Sequence, residues 1–131
     1  MKMPKKEYVG VNIQYPISKD IVSGIKTIET RTYPLPAKYL NQDVVLIETP
    51  GRSKEFKARA TAIIKFVKCF KYQNESEFYK DVSRHGVQKG SSWEWKDKPK
   101  YGWEVIVVEL LSPPVYITKK KGIRYTLGIL I

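Results

Sequence analysis

Between positions 56 and 66 an apolar side chain occupies every even position, as Phe56, Ala58, Ala60, Ala62, Ile64 and Phe66. The positions between them carry mainly basic or polar groups, as Lys57, Arg59, Thr61, Ile63 and Lys65. A period of two is that of a β-strand with one face in the core. The alternation changes parity near Lys68, which predicts a bulge or bend there. A sheet with one largely basic face therefore organises this chain.

Other segments are also typical of strands. Residues 9–15 alternate and stop at Pro16, residues 28–33 are extended, and residues 44–48 form a short apolar run. Residues 103–111 are almost continuously apolar, which predicts a central strand buried on both faces. The last part of the chain, from Pro113, predicts one or two closing strands around a basic turn at 119–122.

Two helices are expected between the strands. A short one follows Pro16, which suits a first helical turn, and Gly24 can end it in the left-handed conformation. A stronger one runs through residues 74–86, with Asn74 as its cap, Phe78 and Val82 inward, and Gly86 at its end. The segment 87–102 is predicted to be a long polar loop.

These elements predict an α+β, mainly β fold with six or seven strands and two or so peripheral helices. The 131 residues fit a single domain, 1–131, without linker or repeat. A small closed or partly closed barrel with helices at its rim satisfies this count, because closure removes exposed strand edges.

Charge narrows the range of partners. Lys and Arg number 24 against 13 Asp and Glu, a net charge of +11 that favours a polyanion, first of all nucleic acid. The lone Cys69 excludes an internal disulfide and a cysteine-based zinc site, so a reducing, cytoplasmic setting is expected. No apolar run spans a membrane and no secretory signal is evident. Neither a metal nor a cofactor is indicated.

The segment GIKTIETR, residues 24–31, concentrates opposite charges beside a glycine. Gly24 permits a turn from helix to strand, and Glu29 and Arg31 share one face of the strand that follows. Lys26 can reach the same space. Two interpretations remain open: a solvated ion-pair cluster, or a polar pocket for a base or another small polar ligand. In a pocket, burial beside Arg31 would lower the pKa of Lys26, which could then act as a base or nucleophile.

GIKTIETR resembles the signature of the ASCH domain (activating signal cointegrator homology), a branch of the PUA-like fold. The family pattern Gly-x-Lys-x-x-Glu-x-Arg is matched by Gly24, Lys26, Glu29 and Arg31. The strand, proline turn and helix before the motif and the segment 101–130 after it resemble the family's order of elements. The resemblance implies a PUA-like pseudo-barrel with a cleft lined by Lys26, Glu29 and Arg31, and association with RNA or DNA.

Some small bacterial members of the family resemble amidohydrolases that act on N4-acetylated cytidine. These carry a lysine at the position of Lys26, a threonine at the position of Glu29, and a later glutamate. This chain keeps the lysine and departs at Glu29, while Glu75 or Glu77 is a candidate for the later carboxylate. The resemblance therefore leaves open whether the domain is an enzyme, with Lys26 and Glu29 as its catalytic candidates.

Further candidates lie outside the motif. Trp103 and Tyr15 are each expected at the pocket wall or in the core. Trp93 and Trp95 can stack on single-stranded bases or plug the barrel mouth. His85 is expected near a helix C-terminus, where its cation would suit the helix dipole, and Cys69 is expected as a small buried residue rather than a nucleophile. A further set of basic residues is predicted to form either a phosphate-binding surface, which we favour, or solvated surface charge: Lys57, Arg59, Lys65, Lys119, Lys120, Lys121 and Arg124.

Three functions remain at this point. The first is a binding module for RNA, single-stranded nucleic acid or a nucleoside-like small molecule. The second is an enzyme, an amidohydrolase on an acylated nucleoside or a nuclease, that uses Lys26. The third is a protein-interaction domain with an unused pocket.

Overall fold

The computed structural model describes residues 5–51, 55–117, 122 and 124–131, and within these ranges one six-stranded sheet organises the chain. Its strands are β1 (Glu7–Gln14), β2 (Ile28–Arg31), β3 (Asp43–Thr49), β4 (Arg59–Lys71), β5 (Tyr101–Tyr116) and β6 (Tyr125–Leu130). The helices are α1 (Ile17–Val22), α2 (Glu75–Lys80) and α3 (Val82–His85), with a 3-10 turn at Ala37–Tyr39. The predicted class, α+β and mainly β, is confirmed.

The strands follow the order β2-β5-β4-β3-β1-β6 across the sheet. β1 pairs with β3 in parallel, and the other neighbours pair antiparallel. Over the described ranges the end strands β2 and β6 do not pair with each other, so the sheet is not closed. The sequence predicted a closed or a partly closed barrel, and the closed form is therefore wrong.

Strand β4 confirms the predicted alternation over residues 62–66. Ala62, Ile64 and Phe66 are fully buried in the main core, where the ring centres of Phe66 and Trp103 lie 5.3 Å apart. Ala60 is buried in the second hydrophobic cluster instead, because the pairing with β5 shifts register between Ala60 and Ala62. The same pairing also shifts register between Phe66 and Lys68, which is the predicted bulge. The strand begins at Arg59 rather than Phe56, and its other face is apolar at Ile63.

The doubly buried strand is β3 and not β5. Val44, Val45, Leu46 and Ile47 are at most 1% exposed, because one hydrophobic cluster packs on each face of β3. In β5 the apolar Ile106 is 49% exposed, which makes the prediction for residues 103–111 wrong. β5 lies next to the end of the sheet, and β2 pairs only with its first residues, 101–104. Neighbours on both faces, rather than apolar composition, decide which strand is central.

The chain after β5 adds one strand, β6, and residues 113–116 belong to β5 itself. The predicted basic turn lies largely outside the described residues, which include Gly122 but not Lys119, Lys120 or Lys121.

The predicted helix over 74–86 is wrong as a single element, because it is interrupted at Asp81. The carboxylate of Asp81 accepts a hydrogen bond of 2.7 Å from the hydroxyl of Tyr72, which ties this position to the end of β4. Both predicted ends are confirmed. Asn74 accepts a hydrogen bond from the N–H of Glu77 at 2.8 Å, and Gly86 is left-handed with φ of 74°. Val82 is only half-buried, and His85 takes the inner position.

The turn from α1 to β2 confirms the role expected of Gly24, whose φ is +83°. Pro16 precedes α1 as its N-cap instead of lying in the first turn. The N–H of Lys26 donates to the carbonyl of Asp20 at 3.0 Å, which fixes the start of the motif against α1. Within the described part of the chain, no helix is long and apolar enough to cross a bilayer.

Candidate functional site

A cavity of about 550 Å³ opens beside β2. The end of β1, helix α1, strand β2 and the segment after α3 all contribute to its wall. Lys26, Glu29 and Arg31 line it together, with apolar walls at Ile17 and Val87. The motif that the sequence singled out therefore converges on one concave space.

Strand β2 explains why the two charged side chains of its face meet. Glu29 pairs with Trp103 and Arg31 with Tyr101 across the antiparallel ladder to β5. Side chains two residues apart on a strand point to the same face, here the cavity. Lys26 joins them from the turn before the strand.

Three interactions hold the carboxylate of Glu29, which is 5% exposed. Lys26 Nζ lies 3.8 Å from Oε1, and Arg31 Nη2 lies 3.4 Å from Oε2. The N–H of Thr30 donates to Oε1 at 3.0 Å. Because a carboxylate offers about four lone-pair positions, these contacts leave capacity for a further donor.

Lys26 is the buried cation of the trio, and its Nζ also donates to the carbonyl of His85. Burial lowers the pKa of Lys26, and nearby Arg31 adds to this, while Glu29 and Asp20 oppose it. The expected direction is confirmed, and its main cause is loss of hydration rather than repulsion from Arg31.

Arg31 is locked by its own contacts. Its Nη1 donates to the hydroxyl of Tyr33 at 2.8 Å, and its Nη2 donates to the carbonyl of Asn12 at 3.0 Å. The guanidinium lies 5.4 Å from the ring of Trp103. Burial works against its charge, but Glu29 and Tyr33 outweigh that effect and raise the pKa of Arg31. Arg31 is thus a permanent cation held in one position.

His85 lies in the last turn of α3, as predicted, but its side chain is not the cation that would suit the helix dipole. The ring is 1% exposed and stacks on Phe78 at 4.2 Å, and burial lowers its pKa. The N–H of Val87 donates to Nδ1 at 2.9 Å, and Nε2 lies 2.7 Å from the carbonyl of Phe78. One nitrogen must accept and the other donate, so the imidazole is neutral with its proton on Nε2.

A second lysine, Lys100, lines the same cavity and is 7% exposed. Its Nζ donates to the carbonyl of Trp93 at 2.8 Å. Burial, and then the charge of Lys96, lower the pKa of Lys100. Trp93 also lines the cavity and is 54% exposed.

The other predicted aromatic residues are placed differently. Trp103 is fully buried in the main core beneath Arg31 and is not part of the cavity wall. Tyr15 lies outside that wall, with its ring 5.8 Å from that of Phe56. Trp95 packs 5.6 Å from Phe78 in the small core under α2. Of these two tryptophans, Trp93 therefore lines the cavity, whereas Trp95 packs against the small core under α2.

The predicted phosphate-binding surface is partly neutralised. Arg59 forms an ion pair of 2.8 Å with Glu48, and Lys65 one of 3.6 Å with Asp43, whereas Lys57 is exposed. Arg124 lies outside the cavity wall, with its guanidinium 3.6 Å from the ring centre of Tyr33. Lys119, Lys120 and Lys121 lie outside the described residues.

Other candidate groups lie away from the cavity. Glu75 and Glu77 begin α2 and do not line the cavity, so its carboxylates are Glu29 and Asp20. Cys69 is half-buried against the main core, and its Sγ accepts from the N–H of Leu35 at 3.4 Å. No three His, Cys, Asp or Glu side chains in the described ranges lie close enough together to hold a metal ion.

Sequence reasoning missed Lys100, Tyr33 and Asn12 as neighbours of the motif. Lys100 belongs to the lysine-rich run WKDKPK, in which no local pattern separates it from Lys96 or Lys98. The pairing of Tyr101 with Arg31 brings the end of this loop to the motif, and this pairing is not visible in the sequence.

Comparison with known proteins gives a consistent result. The model of the ASCH domain family matches residues 11–114. The crystal structure of ASCH from Zymomonas mobilis is similar over 92% of this chain and 86% of that chain, with 14% identity and a TM-score of 0.72. A serine-to-alanine mutant of that protein matches with 15% identity and a TM-score of 0.71, over 95% and 90% of the two chains. A tyrosine-to-phenylalanine mutant matches with 16% identity and a TM-score of 0.62, over 93% and 90%. None of the curated proteins compared with the chain matches it.

Proposed function

The chain belongs to the ASCH domain family, and from this membership we propose a nucleic-acid-associated domain that binds an RNA nucleotide, or a free nucleotide or modified base, in its cavity. The family supports association with nucleic acid in general terms. The observation that carries the finer proposal is the buried carboxylate of Glu29, held between Lys26 and Arg31 at the cavity wall.

The dimensions and charge of the site favour such a ligand. A volume of about 550 Å³ falls within the range of small-molecule sites, which is roughly 300–1,000 Å³. The net charge of +11 supplies long-range attraction for a polyanion. The walls combine apolar area with a few fixed polar groups, which is the usual composition of a selective pocket.

Glu29 gives this pocket a preference among bases. A carboxylate accepts hydrogen bonds only, so it pairs with the amino group of cytosine or adenine, whereas the keto group at the same position of uracil offers no donor. Arg31 is fixed by Tyr33 and Asn12 and can stack on a base or contact phosphate. Rejection of uracil follows because its binding would bury Glu29 against an acceptor.

Fluorescence anisotropy with labelled single-stranded oligo(rC), oligo(rA) and oligo(rU) tests the proposal. The wild type is expected to bind oligo(rC) or oligo(rA) at least about tenfold more tightly than oligo(rU), a difference of about 1.4 kcal/mol. Glu29→Gln is expected to lose most of this preference, while the exposed Glu109→Gln keeps it. Equal binding of all three strands by the wild type, or equal loss in both variants, would contradict the proposal.

The salt dependence separates base selection from charge attraction. On a single strand the log–log slope of affinity against salt is about −0.7 per phosphate contacted. Glu29→Gln is expected to leave this slope unchanged because it alters a base contact. A change in slope equal to the loss of one phosphate contact would assign Glu29 an indirect role.

An enzyme that uses Lys26 is the second candidate, favoured by the lowered pKa of a buried amine beside a carboxylate. Release of acetate from N4-acetylcytidine, and cleavage of the oligonucleotides above, are its assays. Turnover that Lys26→Ala abolishes and the exposed Lys19→Ala retains would establish an amidohydrolase or a nuclease. Binding without turnover of either substrate would leave the binding function alone.

A further inference from the structure

Lys100 is a buried cation with no matching anion in the described structure. Its side chain is 7% exposed, yet no carboxylate of the described residues lies within 4.0 Å of its Nζ. The buried Lys26, by contrast, has Glu29 at 3.8 Å. Burying an unpaired charge is costly, and buried charges in proteins are normally paired.

The hydrogen bonds of Lys100 leave room for such a partner. An ammonium group has three donors, and the bond to the carbonyl of Trp93 uses one. The side chain lines the same cavity as Glu29, so the remaining donors are within reach of a ligand there. An anion in contact with them would restore the stability of the charged form that burial has weakened.

The surroundings of Lys100 are electropositive as well. Lys26, Lys100 and the neutral ring of His85 line the same cavity, and the charges of both lysines disfavour protonation of that ring. Glu29 is already shared between Lys26 and Arg31. Among the described residues of this wall, Lys100 is therefore the buried lysine without a carboxylate at ion-pair distance.

We propose that Lys100 forms a phosphate subsite in this cavity, so that the ligand is a nucleotide rather than a free nucleoside. This inference rests on the proposed function and specifies its ligand class. Trp93, whose carbonyl anchors Lys100, also lines the cavity and is largely exposed, so its ring offers a surface on which a base can stack. The phosphate can be a terminal monoester or the diester of a strand, which share this chemistry.

Isothermal titration calorimetry at constant ionic strength tests the subsite with cytidine, cytidine 5′-monophosphate and the dinucleotide CpC. The wild type is expected to bind the monophosphate at least about tenfold more tightly than cytidine. Lys100→Gln is expected to abolish that gain and leave the affinity for cytidine unchanged. Lys98→Gln, the same charge change at an exposed position of the same loop, is the control and keeps the gain. Tight binding of CpC identifies the strand diester as the natural contact, and its failure identifies a terminal monoester.

Equal affinity of the wild type for cytidine and its monophosphate would overturn the inference, as would an equal loss in the Lys100 and Lys98 variants. Lys100→Met, which keeps the length of the apolar stem, is a second variant with the same expected outcome. Both variants are expected to melt no lower than the wild type, because each removes an unpaired buried charge.

A separate measurement with inorganic phosphate distinguishes failure of the subsite from failure of the proposed function. Phosphate is expected to raise the melting temperature of the wild type above that in chloride of equal ionic strength, and to leave Lys100→Gln unaffected. Stabilisation by phosphate without binding of any nucleoside or nucleotide would support the subsite and contradict the proposed function. Binding of cytidine with no effect of phosphate on the melting temperature of the wild type would support the proposed function and contradict the subsite.

Discussion

Replacement of Glu29 by glutamine removes one buried negative charge and almost no volume. In the variant, Lys26 (8% exposed side chain) and Arg31 (18%) face each other across the cavity wall without the carboxylate that now lies 3.8 Å and 3.4 Å from them. Removing one partner of a buried ion pair costs about 3–5 kcal/mol. The two distances are long for direct ion pairs, so we expect the lower end, about 3 kcal/mol.

That free energy corresponds to a large shift in melting temperature. With an unfolding entropy of about 2.1 cal/mol/K per residue, a chain of 131 residues loses about 11 °C for a destabilisation of about 3 kcal/mol. Urea unfolding followed by circular dichroism measures the free energy, and calorimetry measures the melting temperature. Glu109→Gln, on an exposed position of β5, is expected to change stability by less than about 0.5 kcal/mol.

A double-mutant cycle with Lys26→Met tests the reason for the loss. If the charges depend on each other in a water-poor cavity, the double variant is less destabilised than the sum of the single variants by about 1–3 kcal/mol. A loss of unfolding free energy below about 0.5 kcal/mol for Glu29→Gln, together with additive effects of the two substitutions, would contradict mutual dependence of the buried charges. The trio would then be a solvated ion-pair cluster of the kind that contributes little.

Three further predictions concern residues around the cavity and in the core. His85 is neutral in the folded state and its pKa is lowered, so the unfolded state binds its proton more readily and the free energy of unfolding rises with pH below 6.5. His85→Gln is expected to remove up to about 1.4 kcal/mol per pH unit of this slope, as measured by urea unfolding. An unchanged slope would contradict the neutral assignment of His85. Trp93→Ala is expected to weaken single-strand binding by about 1–3 kcal/mol in anisotropy titrations without changing the melting temperature. Trp95→Ala is expected to lower the melting temperature, because Trp95 packs against Phe78. Loss of stability in the Trp93 variant and loss of binding alone in the Trp95 variant would contradict their placement. Phe66→Ala is expected to lower the free energy of unfolding in urea by about 3–5 kcal/mol, because the ring is fully buried against Trp103. A loss under about 1.5 kcal/mol would contradict this, since it would mean that the core collapses into the space left by the ring.

Local periodicity predicted most of the sheet. The alternation along β4 predicted its inward face from Ala62 to Phe66 and its bulge near Lys68, but not the register shift between Ala60 and Ala62. The left-handed glycines at 24 and 86 were predicted from the helix ends beside them. These features depend on residues close together in the chain. Burial on both faces does not, because it depends on which strands and clusters become neighbours. For that reason β3, and not the more apolar β5, is the doubly buried strand.

The candidate site was predictable as far as its motif extends. Residues 26–31 form a compact pattern, and the structure brings Lys26, Glu29 and Arg31 together as the spacing indicated. Lys100 and Tyr33 are added by strand pairing and by loop packing, which single residues do not reveal. The neutral state of His85 depends on two main-chain partners, and only the folded arrangement supplies both.

A crystal structure of the protein with a short cytidine-containing RNA would show whether Glu29 receives a base. We expect a base inside the cavity, with its amino nitrogen within about 3.2 Å of a carboxylate oxygen of Glu29 and a phosphate at Lys100. An empty cavity, with RNA bound only along exposed residues such as Lys57, would contradict it.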